Sequence, residues 1–112
     1  MAHPLVVNVK FNKCQVYCGR PSKWGNNYII GRDGNRSEVI YKHKWLQLPK
    51  LIHNIGELTG KTLGCHCAPL DCHCDTYAEL SNNKEALKQY LRELIKRKSI
   101  IFQAVDKIIE KK

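Results

Sequence analysis

The chain has 112 residues, 43% of them apolar, which leaves room for one domain with a modest core and none for two. It excludes a membrane-spanning helix, because no run approaches the ~18 apolar residues that a span needs. The net charge of +9 is carried by the two ends: residues 1–35 hold five Lys/Arg against one acid and residues 84–112 nine against four, while residues 36–83 balance at five and five.

LVVNVKF (5–11) and KCQVYCGR (13–20) read as two short strands, rich in β-branched and aromatic residues. GRPSKWGNN (19–27) is a loop, punctuated by Gly, Pro and Asn, and residues 27–35 form a short strand or turn ending at Asp33-Gly34. Residues 35–48 have a helical pattern, with Ser37 as a cap and an apolar stripe of Val39, Ile40, Trp45, Leu46 and Leu48. Pro49 restarts a helix that Gly60 ends. KTLGCHCA (61–68) is a strand with Leu63, Cys65 and Cys67 on one face. Asp71 then caps a helix from Cys72 to Leu80. Residues 83–99 form a helix through Leu87, Tyr90, Leu91, Leu94 and Ile95, and residues 100–112 a terminal amphipathic one through Ile101, Val105, Ile108 and Ile109. The order implies a single small α/β domain over residues 1–112: a short, mostly parallel or mixed sheet flanked by helices, with a motif-bearing part at 17–80 and C-terminal helices at 83–112. Loops that leave strands and open helices are where such sheets place ligands. CGRPSKWGNN and CAPLDCH are two such loops, and they meet if their strands run parallel and close together.

Four of the six cysteines and two of the five histidines fall between Cys65 and Cys74. The apolar stretch near the N-terminus is too short for a signal peptide and no small-residue cleavage pattern follows it, so a reducing, cytoplasmic setting is expected. There, such a cluster points to metal binding or thiol chemistry rather than disulfides. As a zinc site, C-x-C-x4-C-x-C departs from the usual two-knuckle spacing. Cys65, one pleat inside the strand and about 7 Å from Cys67, is the weak member; Cys67, Cys72 and either His73 or Cys74 form the reachable set. As a thiol site, Cys72 in the first turn of a helix feels the positive dipole end, which favours thiolate, with His73 beside it as base or donor. The plainer alternative is a group of reduced cysteines packed as small hydrophobes.

The first loop carries what an anion site needs: Arg20 with its fork of donors, the Ser22 hydroxyl, the Lys23 ammonium, Gly25, and the Asn26 amide. Trp24 is placed either to stack on a base or sugar or to plug the core. YCGRPSKWGNNY, then GNRSEVIYKHKWL, then GELTGKTLGCHCAPLDCHCDTYAEL, taken in order from Tyr17 to Leu80, resemble a small family catalogued as domain of unknown function 4326. Its members read approximately GRPSKWGNP, T-R-x-x-V-x-x-Y-x-x-W-L and L-x-G-K-x-L-G-C-W-C-x-P-x-P-C-H-G-D-x-L. The resemblance implies no activity. It nominates Arg20, Ser22, Lys23, Trp24, Gly25, Asn26, Arg36, Cys65, Cys67, Cys72, His73 and Asp75 as the motif positions. The family occurs in phages, large viruses and cellular genomes, so a viral source is one implication. This chain departs at Asn27 for proline, His66 for tryptophan and Cys74 for glycine, and the last two add metal-capable side chains.

Two readings follow. In the first, a nucleotide-like or phosphorylated ligand binds at the strand ends, held by Arg20, Ser22, Lys23, Trp24, Asn26 and Arg36. Cys67, Cys72 and His73 then contact or transform it, Asp75 orients His73, and any enzyme is a thiol-dependent transferase or hydrolase. In the second, zinc held by Cys67, Cys72, Cys74 and His73 or His66 stabilises a module whose basic ends bind nucleic acid. No membrane partner is expected, and the terminal helix offers a face for a homodimer. His43 and His53 read as surface or boundary residues, and Cys14 and Cys18 as packed rather than ligating.

Overall fold

The computed structural model describes the backbone of residues 3–110 and the side chains of residues 3–98. Three short strands, β1 (Val6–Asn8), β2 (Val16–Tyr17) and β3 (Leu63–Cys65), form an entirely parallel sheet in the order β1-β3-β2. The latest strand in sequence is central: Leu63 pairs with both Val6 and Val16, and Gly64 with both Val7 and Tyr17. The segment joining β1 to β2 passes over β3 at Gly64. A Cβ there would collide with the Cys14 sulfur and would lie 2.6 Å from Val9 Cγ1, so the glycine of TLGC is what lets this connection lie close.

Helix α1 (Arg36–Lys42) is opened by Asn35, not by Ser37. The Asn35 side chain accepts the Glu38 N–H at 2.9 Å and Glu38 accepts the Asn35 N–H at 3.0 Å. This reciprocal pair satisfies two end donors, while the Ser37 hydroxyl only supports it by donating to Asn35. The helical run then widens into a π-turn at His43–Gln47 and tightens into two 3-10 segments, Leu48–Lys50 and Ile52–Leu58, so the single helix expected after Pro49 is in fact two tighter pieces. Gly60, at φ 73°, ends this run in the left-handed region. Residues 27–35 form no strand. The Asp33 carboxylate accepts the Ile29 N–H at 2.7 Å, and Gly31 and Gly34 turn the chain at φ 93° and 136°.

Helix α2 (His73–Asn82) packs on β1, β3, the Ile52–Leu58 segment and α3. Its N-cap is Cys72 rather than Asp71, with Asp75 accepting the Cys72 N–H at 3.0 Å. Helix α3 runs unbroken from Lys84 to Glu110 instead of as two helices, and Asn83 caps its start through the Ala86 N–H. Tyr90 and Leu94 are buried, whereas Ile95 faces solvent. The side chains of Ile101, Val105, Ile108 and Ile109 lie outside the described ones. Between sheet and helices Leu48, Leu58, Leu63, Cys65, Cys74, Tyr77 and Ala78 are fully enclosed; each such leucine contributes about 1.5–3 kcal/mol by leaving water. Among the described residues no helix is long and apolar enough to cross a membrane.

Candidate functional site

Because β2 and β3 are adjacent and parallel, the chain leaves both at the same end of the sheet. Past Tyr17 it enters Cys18-Gly19-Arg20, and past Cys65 it enters His66-Cys67. Asn8, at the end of β1, donates to the Ala68 carbonyl at 3.0 Å and so ties down the second loop. That loop turns sharply, with the Leu70 N–H on the Cys67 carbonyl at 2.8 Å, and returns Cys72 beneath the strand end.

This turn decides which cysteines meet. The sulfurs of Cys65, Cys72 and Cys74 all lie within 4.8 Å of one another, and those of Cys65 and Cys72 are 3.5 Å apart. The three side chains could hold a metal ion. Cys65, the weak member by strand spacing, is thus inside the triad, because the α2 N-terminus brings Cys72 and Cys74 to it. Cys67, expected as a central ligand, lies beside the triad: the strand has ended before it, so the pleat no longer carries its side chain inward. It is half-buried and contacts Cys65 and Cys72 on one side and the Arg36 guanidinium on the other. Cys18, at the end of β2, is fully buried against Cys74. Five sulfurs therefore gather at one end of the sheet, all as free thiols. Hydrogen bonds from Cys67, Cys72 and Cys74 hold the Cys65 thiol well below its ordinary range. The same sharing pushes Cys67 up, chiefly through Cys65, and Cys74 up, chiefly through Cys18.

His73 faces away from a metal-ligand role in this arrangement. Its Nε2 lies 2.8 Å from the Cys18 carbonyl and 3.9 Å from the Cys74 sulfur. Burial lowers its pKa, opposed by the Cys18 and Trp24 carbonyls. Asp75 does not orient it: its carboxylate oxygens accept the N–H groups of Cys72 and His3, serving the helix cap. Behind His73 stands a pair that the sequence did not single out. His43, read as a surface residue, is fully buried, because the π-turn rotates it onto α2. Its Nε2 is 2.7 Å from the Tyr77 hydroxyl, which donates to the Trp24 carbonyl at 3.0 Å. With that hydroxyl proton spent, the imidazole is the Nε2–H tautomer, and its Nδ1 has no partner among the described residues. Burial, then the neighbouring His73, pushes the His43 pKa down to about 3.

The GRPSKWGN loop divides. Arg20 and Asn26 line a cavity of about 440 Å³ over the thiols, shared with Tyr17, Tyr28, Arg36 and His66. Asn26 also braces the loop, donating to the Val39 carbonyl at 3.1 Å and accepting the Tyr28 N–H at 2.9 Å. Ser22, Lys23 and Trp24 do not line it. The Ser22 hydroxyl donates to the Gly19 carbonyl, and Lys23 pairs with Glu57 at the surface. Trp24 is buried edge-on against Tyr77, so it plugs the core and cannot stack on a ligand. The aromatic groups at the cavity are instead Tyr28 and the Tyr17–His66 pair, joined hydroxyl to Nε2 at 2.9 Å. Arg36 donates to the Asp71 carbonyl at 2.9 Å and also borders a neighbouring cavity with Asp71, Cys72 and Asp75. A tyrosine ending one parallel strand and a histidine following the next were the signals for this pair, and the parallel adjacency gives them meaning.

Fold and site together define a small α/β domain with a thiol-rich centre under a cationic cleft at the carboxyl end of its sheet. The chain belongs to the family described as Domain of unknown function (DUF4326), which matches residues 7–83. It is 36% identical over 84 residues to "Uncharacterized protein R718" of Acanthamoeba polyphaga mimivirus, an alignment covering 60% of this chain and 65% of that protein. No solved structure matches it.

Proposed function

We propose that the domain binds a nucleotide-like or phosphorylated ligand in the cleft at the ends of β2 and β3, with Arg20 and Arg36 on its anionic part. The observation that carries this reading is that both arginines line one cavity of about 440 Å³, at the sheet end where open α/β folds take ligands. Tyr28, Tyr17 and His66 supply the stacking faces that Trp24 cannot. In a thiol-dependent transferase or hydrolase, half-buried Cys67 would be the nucleophile, since Cys72 is enclosed in the triad; Arg36 is the group that favours its thiolate, against the upward push of Cys65 and Cys72. Calorimetric titration with inorganic phosphate and nucleoside mono- and diphosphates tests the reading. Arg36→Ala should weaken binding about ten-fold or more, the loss of a charged hydrogen bond, and Lys23→Ala should leave it unchanged. No binding by the wild type, or equal losses in both variants, would sink it.

A second reading has its own observation. Lys84, Lys88, Arg92 and Lys96 recur every fourth residue along α3, all exposed, a cationic stripe with a step of about 6 Å. A metal-stabilised module would lay this stripe along nucleic-acid phosphates. Binding of mixed-sequence oligonucleotides should then fall with salt at a slope of several phosphates, and Lys88→Glu with Arg92→Glu should abolish it without touching phosphate binding in the cleft.

A further inference from the structure

The thiol triad and the cleft share walls, and how they share them bears on what a bound metal would do. Cys65, Cys72 and Cys74 are 1%, 4% and 0% exposed. Tetrahedral zinc with Zn–S bonds of about 2.3 Å sets its sulfurs roughly 3.8 Å apart. Mutual distances within 4.8 Å therefore need only a small contraction. Cys65 and Cys72 line the cleft together with Arg20 and Arg36, whereas Cys74 does not. Cys74 is the deep corner, backed by buried Cys18, and the cleft lies on the side of the triad away from it. Cys67, the third cysteine lining the cleft, stands outside the triad, half-buried and interacting with the Arg36 guanidinium.

From this arrangement we infer that Cys65, Cys72 and Cys74 form a three-thiolate centre for a zinc-type divalent ion, with its fourth position open to the cleft. An oxyanion of the ligand occupies that position, while Arg20 and Arg36 hold the remaining charge. Structural zinc sites close all four positions with protein, whereas an open position is the mark of a site that touches substrate. The anion half of this inference rests on the cleft reading above. Metal entry would displace the three thiol protons, and a phosphate oxygen would replace water as the fourth ligand.

Cobalt(II) reports each part separately. The reduced 112-residue chain, loaded anaerobically with cobalt, should give the absorption of a tetrahedral cobalt–thiolate centre, and inorganic phosphate should shift it. Cys67→Ser should keep the cobalt spectrum, Cys74→Ser should lose it, and Arg36→Ala should keep it while needing at least ten-fold more phosphate for the shift. Because Cys74→Ser removes a core residue, cadmium-113 resonance of the wild type gives an independent sulfur count, expected at three. Absence of a cobalt–thiolate band overturns the inference, as does a count of four together with loss of the band in Cys67→Ser. If calorimetry detects phosphate but the cobalt spectrum ignores it, the open position is wrong and the anion cleft stands. If phosphate does not bind at all, the cleft reading fails and takes the oxyanion with it.

Discussion

Gly64 and His43 show how single residues set the conditions for the site. At Gly64 the β1–β2 connection lies so close that Gly64→Ala must push Cys14 and Val9 away from the central strand. Overpacking of this kind costs about 1–3 kcal/mol, and urea unfolding should register that loss. Unchanged stability would mean the connection does not cross β3 as described. At His43 the folded-state pKa is about 3 against an ordinary 6.5, so the native state holds the neutral ring while the unfolded chain takes up a proton below 6.5. Stability from this residue is therefore complete above pH 6.5 and is lost as pH falls toward 3, at a slope approaching about 1.4 kcal/mol per pH unit. His73, lowered by burial too, acts in the same direction. Chemical denaturation at pH 7, 6 and 5 should show a fall of about 1.5 kcal/mol or more by pH 5. A flat profile over that range would contradict a neutral, enclosed His43.

At the scale of elements, the cleft depends on where short segments begin. Asn35 starts α1 and thereby aims Arg36 at Asp71, Cys67 and the cavity. Asn35→Ala should cost about 1 kcal/mol in stability and should also weaken phosphate binding, whereas Ser37→Ala should do much less of either. Calorimetry on both variants checks this, and equal effects would return the cap to Ser37. The π-turn is a second such device: it sends Gln47 to the Gly25 carbonyl at 2.6 Å and to the Asn27 N–H at 2.9 Å, fixing the loop that carries Arg20. What the sequence made legible here was periodic or motif-borne: three strands, the Asn83-capped helix, and the two loops that converge. What it hid was local hydrogen-bond competition. Asn35 and Ser37 are both good caps, and only the return contact from Glu38 chooses between them. A widened turn has no period of its own, so His43 looked like a residue on an ordinary helix face.

For the whole molecule, the parallel order β1-β3-β2 turns two separated motifs into one site. The motifs from GRPSKWGN to CHCAPLDCHCD were readable as chemistry before any fold was known, and the convergence of their loops followed from parallel, adjacent strands. Membership of the sulfur centre did not follow. Pleat spacing counts along one strand and ranked Cys65 last, yet the sulfurs are assembled by the return of α2 beneath the strand end. Trp24 likewise resembled a stacking group because loop composition cannot say which side of the loop faces the core. On this reading the cleft at the strand ends, rather than the basic face of α3, receives the anionic ligand. The most direct measurement is an amide-resonance titration of the nitrogen-15-labelled protein with a nucleoside diphosphate. Binding in the cleft should shift Gly19, Arg20, Tyr28, Arg36, His66 and Cys67 above all. Shifts running along Lys84–Lys98 with those six residues silent would contradict it.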